Sequence, residues 1–200
     1  PTTHYKFVKS DPTLIDAEMP DGKKRAVVDF GNMRNTGNTD ETHPASVNAA
    51  SVYLSAGAFG ETASRKKVRE IYIVQSCTGA NAHFIGHLNG GAVRPENGSV
   101  YFQRGGSGIF YPTYTSSFIQ NGYIALDRTP RAVSYTMPLN TWCLVSVGAT
   151  DYVTVDSFMH DRNCNAGGGS IAEVIAFDFP LTAAERAALE QRLMRKWGIG

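Results

Sequence analysis

The alternation of apolar and polar residues is clearest near the end of the chain, where it predicts a strand followed by a helix. Residues 171–178 are rich in β-branched and aromatic side chains, as strands are, and Pro180 ends the run. Thr182 and Glu185 have the spacing of a capping box, in which each side chain accepts a hydrogen bond from the other residue's backbone. We therefore expect a helix to begin directly after Thr182.

Strong helix formers fill residues 183–197. Leu189, Leu193 and Trp197 follow one another at a spacing of four, which places them on one face of the helix. Gly198 comes directly after this run, at the position where a helix commonly ends in a left-handed residue. The pattern indicates an amphipathic helix that covers a sheet.

Shorter apolar runs, separated by turn signals every eight to twelve residues, predict further strands. These runs are 25–30, 66–76, 82–88, 100–103, 109–114, 122–127, 131–137, 140–148 and 152–159. Residues 1–24 are expected to be irregular, with a turn at Asp21-Gly22. Many short strands with one clear helix are typical of an all-β fold, here a two-sheet antiparallel sandwich.

The 66–76 run is apolar on both sides of the predicted strand. Val68, Glu70, Tyr72 and Val74 alternate with Arg69, Ile71, Ile73 and Gln75. Strands of this kind are usually covered on both faces, which predicts a central position in the sheet. In the 140–148 run, Trp142, Leu144, Ser146 and Gly148 should share one face, and Cys143, Val145 and Val147 the other.

Composition and charge limit the classes of protein to which this chain can belong. Two hundred residues suit one domain, and 19 basic against 18 acidic residues give a net charge of +1. A nucleic-acid partner would need a basic face, so we expect none. No apolar run reaches the roughly 18–20 residues needed to cross a bilayer, so we expect no membrane span.

Three cysteines do not make a disulfide framework by themselves. A pair between Cys143 and Cys164, on either side of an expected hairpin, is one alternative. The other is that Cys77, Cys143 and Cys164 are buried thiols that pack as small apolar side chains.

The C-terminal string resembles the closing signature of bacterial laminin-G-like domains, which belong to the concanavalin A-like lectin/glucanase superfamily. The matching positions are Ile171, Ala172, Glu173, Val174, Ile175, Asp178, Leu181, Thr182, Glu185, Arg186, Leu189, Glu190, Leu193, Lys196, Trp197 and Gly198. The strand at 66–76 also resembles the family's R-E-I-(F/Y)-x-V strand. The family's N-terminal W-x-D-x-S-G-type segment has no counterpart here, so the chain is expected to lack that segment or to diverge in it.

The resemblance implies a concanavalin A-like jelly-roll sandwich over residues 1–200, closed by the C-terminal helix. We expect it to be one domain of a larger extracellular or cell-surface polypeptide. Glycan or cell-surface polysaccharide and other domains of the same polypeptide are the expected partners. A non-catalytic carbohydrate-binding or adhesion module is the favoured function. A structural or protein-interaction module of a surface or phage-tail protein is the alternative, followed by a hydrolase or lyase with a dispersed site.

Aromatic and polar residues lie close together between glycine turns at 101–123. Sugar sites combine a flat aromatic ring, which stacks on a pyranose, with groups that bind its hydroxyls. The candidate ligand-binding residues are Tyr101, Arg104, Tyr111, Tyr114 and Asn121. The competing interpretation is that these aromatic residues fill the core of the sandwich.

Two polar loops carry oxygen ligands of the kind that calcium prefers. Asp40 and Glu41 lie in the first loop, and Asp161 and Asn163 in the second. Relatives in the resembled family often hold one calcium ion, so Ca²⁺ is the cofactor to test. Neither loop has a diagnostic spacing, and solvated polar loops are the alternative.

No catalytic motif stands out in the chain. Related glycosidases carry E-x-D-x-x-E on one strand, which sets two carboxylates a few ångström apart, and this chain lacks it. It also lacks a G-x-S-x-G elbow. Glu173 matches the closing signature and is expected to be structural, tying the last strand to neighbouring backbone. We therefore expect no enzymatic activity.

Overall fold

A computed structural model describes residues 13–29, 66–77, 85–86, 108–110, 115–155, 157–158 and 169–200. The strands are β1 (Thr13–Glu18), β2 (Lys24–Asp29), β3 (Lys66–Cys77), β4 (Ile85–Gly86), β5 (Tyr123–Leu126), β6 (Thr129–Pro130), β7 (Cys143–Val155), β8 (Ser157–Phe158) and β9 (Gly169–Phe177). The helices are α1 (Ser117–Gln120) and α2 (Ala183–Trp197). In these parts of the chain the fold is mostly β, as the sequence pattern predicts.

Seven of the strands form one antiparallel sheet in the order β1-β2-β9-β3-β7-β5-β6. β4 and β8 form a separate antiparallel pair. The strand β3 lies in the middle of the large sheet, between β9 and β7. The last strand of the chain therefore lies between the first hairpin and the central strand.

Both faces of β3 are covered, which confirms the prediction from its two apolar sides. On one face Tyr72 and Val74 pack with Leu193 and Trp197 of α2; we call this the α2 face. On the opposite face Ile71 and Ile73 pack in a second cluster. Residues 109, 110, 119 and 137, which lie outside the long strands, also belong to that second cluster.

The predicted alternation along β3 is wrong at Val68. The register with β7 shifts between Val68 and Glu70, and Val68 packs in the cluster opposite α2. The four residues 149–152 of β7 stand opposite Arg69 alone, so the ladder is irregular at this point and the alternation of faces along β3 is interrupted. Val68 and Glu70 consequently lie on different faces of the sheet.

The strand β7 continues from Cys143 to Val155, where the sequence predicts two separate strands. The face assignment for its first half is confirmed, because Val145 and Val147 pack opposite α2 and Leu144 packs beneath it. Since the expected hairpin within this stretch does not form, it brings no second cysteine back to Cys143. Cys143 is a buried thiol, so the pair with Cys164 is not formed. Cys164 itself lies outside the described residues.

The C-terminal unit forms as the sequence predicts. Thr182 caps α2 with both hydrogen bonds of the capping box to Glu185, and Gly198 ends the helix in the left-handed conformation at φ 67°. Leu193 and Trp197 are buried on the α2 face, and Leu189 packs against them. The helix therefore covers one side of the sheet.

Three local predictions are wrong. Residues 13–18 form β1, which pairs with β2 around the predicted Asp21-Gly22 turn, although the sequence pattern gives no strand before residue 25. Residues 117–120 form the short helix α1. Within 131–137 only Thr136 and Met137 form bridges, because a turn occupies 133–134. In each case the segment is short, and its structure depends on the strand or turn that it packs against.

Several predicted strands cannot be compared with the structure, since residues 100–103 and 111–114 lie outside the described residues. Of the strand expected at 82–88, Ile85–Gly86 is described. Neither α1 nor α2 is long and apolar enough to cross a membrane.

Candidate functional site

A buried polar cluster fixes helix α2 to the sheet. Glu70 lies on the α2 face of β3 and is 1% exposed. Its Oε1 accepts hydrogen bonds from Arg186 Nη2 at 2.6 Å and from the Leu181 backbone N–H at 3.1 Å. Its Oε2 accepts from Tyr72 OH at 2.9 Å and from Arg186 Nε at 3.3 Å. With four donors and almost no exposed surface, this carboxylate has no face open to a substrate.

Two further side chains extend this cluster along α2. The Arg186 guanidinium lies over the ring of Tyr123, 4.4 Å from its centroid. Tyr123 OH donates to Glu190 Oε1 at 3.0 Å. Burial would lower the pKa of Arg186, but the hydrogen bonds and charge of Glu70 outweigh it and raise that pKa. Burial, reinforced by the charge of Glu70, raises the pKa of Tyr72.

Gly148 makes room for the Glu70–Arg186 ion pair. It is paired with Glu70 across β3 and β7. A Cβ atom at this position would lie 2.8 Å from Arg186 Nη2 and 2.9 Å from Glu70 Oε2. Glycine is otherwise unfavourable inside a strand, and it commonly marks a close approach of this kind. The glycine in the middle of β7 thus serves packing and does not form a turn.

The Tyr123 hydroxyl should make the protein sensitive to alkali. Burial, followed by the charge of Glu190, raises the pKa of Tyr123 to about 12. In the unfolded chain the phenol has its ordinary pKa of about 10. Between these values the unfolded state loses its proton first, so the free energy of unfolding falls as pH rises from about 10 to about 12. Urea unfolding at several pH values above 9 measures this slope.

Tyr123→Phe is the matched variant, because it keeps the ring beneath Arg186 and removes the titrating group. We expect the missing hydrogen bond to Glu190 to lower the free energy of unfolding by the same amount at every pH below 10. Above pH 10 the stability of the variant should decline less steeply than that of the wild-type protein. Identical alkaline slopes for the two proteins would contradict the role of Tyr123.

Glu173 is structural, as the sequence indicates, but its partners differ from the expected backbone groups. Its Oε2 accepts hydrogen bonds from Trp197 Nε1 at 2.6 Å and from Lys196 Nζ at 2.8 Å. The carboxylate thus links β9 to the last turn of α2. Two carboxylates, Glu70 and Glu173, hold the two ends of the same helix.

A different polar group is open to solvent at the β-bulge between β3 and β7. The register passes from Val68↔Val153 to Glu70↔Gly148, so Arg69 stands opposite the four residues 149–152. We call residues 69 and 149–152 the Arg69 bulge. Arg69 Nη2 donates to the Thr150 carbonyl at 2.9 Å, and Arg69 Nε donates to the Ala149 carbonyl at 3.3 Å. The guanidinium therefore fixes the backbone of the bulge from the opposite strand.

The Arg69 bulge presents an aromatic ring and a carboxylate at the surface. Tyr152 is 46% exposed, and the Arg69 guanidinium lies 5.4 Å from its ring centroid. The Asp151 side chain is 58% exposed, and its Oδ1 is 3.9 Å from Arg69 Nη1. The same oxygen accepts a hydrogen bond from the Tyr152 backbone N–H at 2.7 Å. A half-exposed ring beside charged hydrogen-bonding groups is suited to binding a polyhydroxylated ligand.

Helix α1 packs directly against this bulge. Thr150 Oγ1 donates to the Phe118 carbonyl at 3.3 Å. A Cβ atom at Gly122 would clash with the Gly148 carbonyl oxygen and would lie 3.2 Å from the Ala149 Cα. Asn121, the exposed residue before Gly122, ends α1 with its backbone N–H bonded to the Ser117 carbonyl at 2.9 Å. Among the residues predicted from the sequence to bind a ligand, Asn121 is the one that lies within the described ranges. It follows α1, next to the bulge.

The remaining predicted site residues lie outside the described residues. They are Tyr101, Arg104, Tyr111 and Tyr114 for the ligand, and Asp40, Glu41, Asp161 and Asn163 for calcium. Within the described parts of the chain, His, Cys, Asp and Glu do not form a group of three that could hold a metal ion.

The sequence pattern did not single out Arg69, Asp151 or Tyr152. The pattern assigns Arg69 to a regular strand face and Tyr152 to the start of a new strand, with Asp151 in the gap before it. The sequence does carry a signal at this place. The charged and aromatic pair Asp151-Tyr152 lies between two apolar runs, whereas a continuous buried strand would carry apolar side chains there.

Comparisons with protein-family models, curated proteins and solved structures found no significant match for this chain.

Proposed function

We propose that this protein is a non-catalytic carbohydrate-binding or adhesion module of an extracellular bacterial polypeptide. The seven-stranded sheet would be one layer of a two-sheet jelly roll of the concanavalin A-like type. Support for a second layer comes from the sheet face opposite α2, where Ile109, Phe110 and Met137 cover Ile71 and Ile73. The closing strand and helix that resemble laminin-G-like domains also agree with this fold.

The observation that carries the proposed function is the Arg69 bulge. Tyr152 offers an apolar ring surface, while Asp151 and Arg69 offer hydrogen-bond acceptors and donors beside it. The bulge backbone is fixed by Arg69 on one side and by α1 on the other. Such a preorganised arrangement reduces the entropy lost when a sugar binds.

Glycan-array binding tests this site. We expect Tyr152→Ala to weaken binding of any glycan that the wild-type protein recognises by about tenfold, or roughly 1.4 kcal/mol, because it removes the stacking surface. The melting temperature should change little, since the side chain is half exposed. Phe179→Ala is the matched control, because Phe179 is an exposed aromatic residue that packs on Phe177 of β9, across the central strand from β7. Arrays with and without calcium test the proposed cofactor.

Three outcomes would overturn this assignment. An array without signal above background, with or without calcium, would favour a structural or protein-interaction module. The apolar side chain of Leu14 on β1, which is 71% exposed, supports that second candidate. Equal losses for Tyr152→Ala and Phe179→Ala would place glycan binding elsewhere on the molecule. Release of reducing ends or unsaturated products from polysaccharides would instead indicate an enzyme.

A further inference from the structure

A cavity of about 470 Å³ opens at the C-terminal end of α2, away from the Arg69 bulge. Its walls come from three elements: the turn after β1, the turn after β5 and the last turns of the helix. The lining includes Asp21, Arg128, Met194, Arg195 and Ile199. We propose that this cavity binds an oxyanion, a carboxylate, sulfate or phosphate group, between Arg128 and Arg195.

The side-chain charges of the lining favour an anion, although the cavity lies at the C-terminal end of α2, where the helix contributes a partial negative charge. Asp21 is the one acidic side chain in the lining, and both its oxygens accept hydrogen bonds from Arg25 at 2.6 Å. Arg128 and Arg195 form no ion pair with any described residue. Two arginines without a described ion pair thus line the open cavity, while the Asp21 carboxylate is already neutralised by Arg25.

The backbone at Arg128 is an independent sign that this side chain is needed. Asp127 and Arg128 form the two-residue connection between β5 and β6, with φ angles of 49° and 64°. Glycine or asparagine is usual where such a turn needs positive φ, because a side chain is strained there. The turn is held to β7, since Asp127 Oδ1 accepts from the Leu144 backbone N–H at 2.7 Å. An arginine kept in a strained, anchored turn indicates a role for its guanidinium.

The chemistry of the lining fits an oxyanion well. Guanidinium groups present paired N–H donors that match the oxygens of carboxylate, sulfate and phosphate groups. Met194 and Ile199 supply an apolar floor beside these donors. A charged group attached to a larger organic ligand, such as an acidic saccharide, would contact both.

Arg195 also has a structural alternative. A cation in the last turn of a helix interacts favourably with the partial negative charge of the helix end. This role predicts a loss of stability when the charge is removed, whereas the proposed site predicts a loss of binding. Arg192 lies on the same helix, is exposed and is not part of the lining, so it provides a matched control.

Calorimetric titration of the whole chain tests the proposal in two arms. One arm uses sodium sulfate and sodium phosphate against sodium chloride at equal ionic strength, and the other uses oligogalacturonate against a neutral maltooligosaccharide. We expect Arg128→Gly and Arg195→Gln each to weaken oxyanion binding by about tenfold, and Arg192→Gln to leave it unchanged. Arg128→Gly should melt no lower than the wild-type protein, because glycine removes the left-handed strain.

The two arms separate the sources of the anion. Binding of the acidic oligosaccharide alone assigns the site to an organic ligand, and binding of sulfate or phosphate assigns it to the free ion. Binding in neither arm, or equal binding by all three variants and the wild-type protein, would overturn the proposal. Tyr152→Ala should leave oxyanion binding unchanged, so this test and that of the carbohydrate site fail independently.

Discussion

Replacing Arg186 with methionine should lower the free energy of unfolding by about 3–5 kcal/mol. The substitution leaves the Glu70 carboxylate buried at 1% exposure without a counter-charge. Breaking one side of a buried ion pair costs far more than the pair contributes in net terms, because the remaining charge has lost its hydration. Urea unfolding followed by circular dichroism measures the loss.

Arg192→Met is the control for this experiment. It removes an exposed arginine from the same helix, so its effect should stay within about 0.5 kcal/mol. The double variant Glu70→Gln, Arg186→Met should be more stable than Arg186→Met alone, since it contains no unpaired charge. If Arg186→Met costs no more than the control, Glu70 does not depend on this ion pair.

Trp197→Ala should cost about 3–5 kcal/mol, the usual range for truncating a buried tryptophan. The side chain is 7% exposed and packs on the α2 face with Leu193 and Leu144. The substitution also removes the indole N–H that donates to Glu173. Thermal and chemical unfolding should both show the loss, while oxyanion and glycan binding per folded molecule stay unchanged.

Leu14→Ala is the apolar control for the tryptophan variant. Leu14 lies on β1 and is 71% exposed, so truncation should change stability by less than about 0.5 kcal/mol. Similar losses of stability for Trp197→Ala and Leu14→Ala would mean that the Trp197 side chain does not cover the sheet. A tryptophan variant that keeps wild-type stability but loses ligand binding would show that the Trp197 ring itself contributes to a binding site.

The parts of the fold that local rules determine could be predicted from the sequence. The capping box at Thr182, the left-handed Gly198 and the i, i+4 apolar face of α2 depend on residues within one or two turns of each other. The two apolar sides of β3 likewise indicate its central position. The β1 hairpin was missed because its alternating side chains, such as Asp16 and Ala17, carry little apolar character.

Bulges could not be predicted, because they depend on how two distant strands align. Val68 changes face at the Arg69 bulge, and a second register shift between β3 and β9 follows Val74. Nothing within either strand alone fixes these positions. A uniform alternation was therefore assumed where the sheet is irregular.

The same limit applies to the candidate site. The search for aromatic and polar side chains considered residues that are near in sequence, whereas Arg69 and Thr150 are 81 positions apart. The same combination of an aromatic ring with adjacent polar groups occurs at the Arg69 bulge, on residues other than those predicted from the sequence. Asn121, which was chosen as a polar residue beside the aromatic run, follows α1, and α1 packs on the bulge.

The strand order also determines when the sheet can assemble. Ser170 of β9 donates to Asp29 of β2 across 141 residues, and β9 is also a neighbour of the central strand β3. Pairings between strands this distant in sequence make folding slow. A long loop must close first, and the entropy lost in closing it is offset only after the contacts form. During synthesis β2 and β3 emerge well before β9. Until then their edges stay open to pairing with other chains, so a chaperone that shields nascent strands would protect this protein more than one that acts after release.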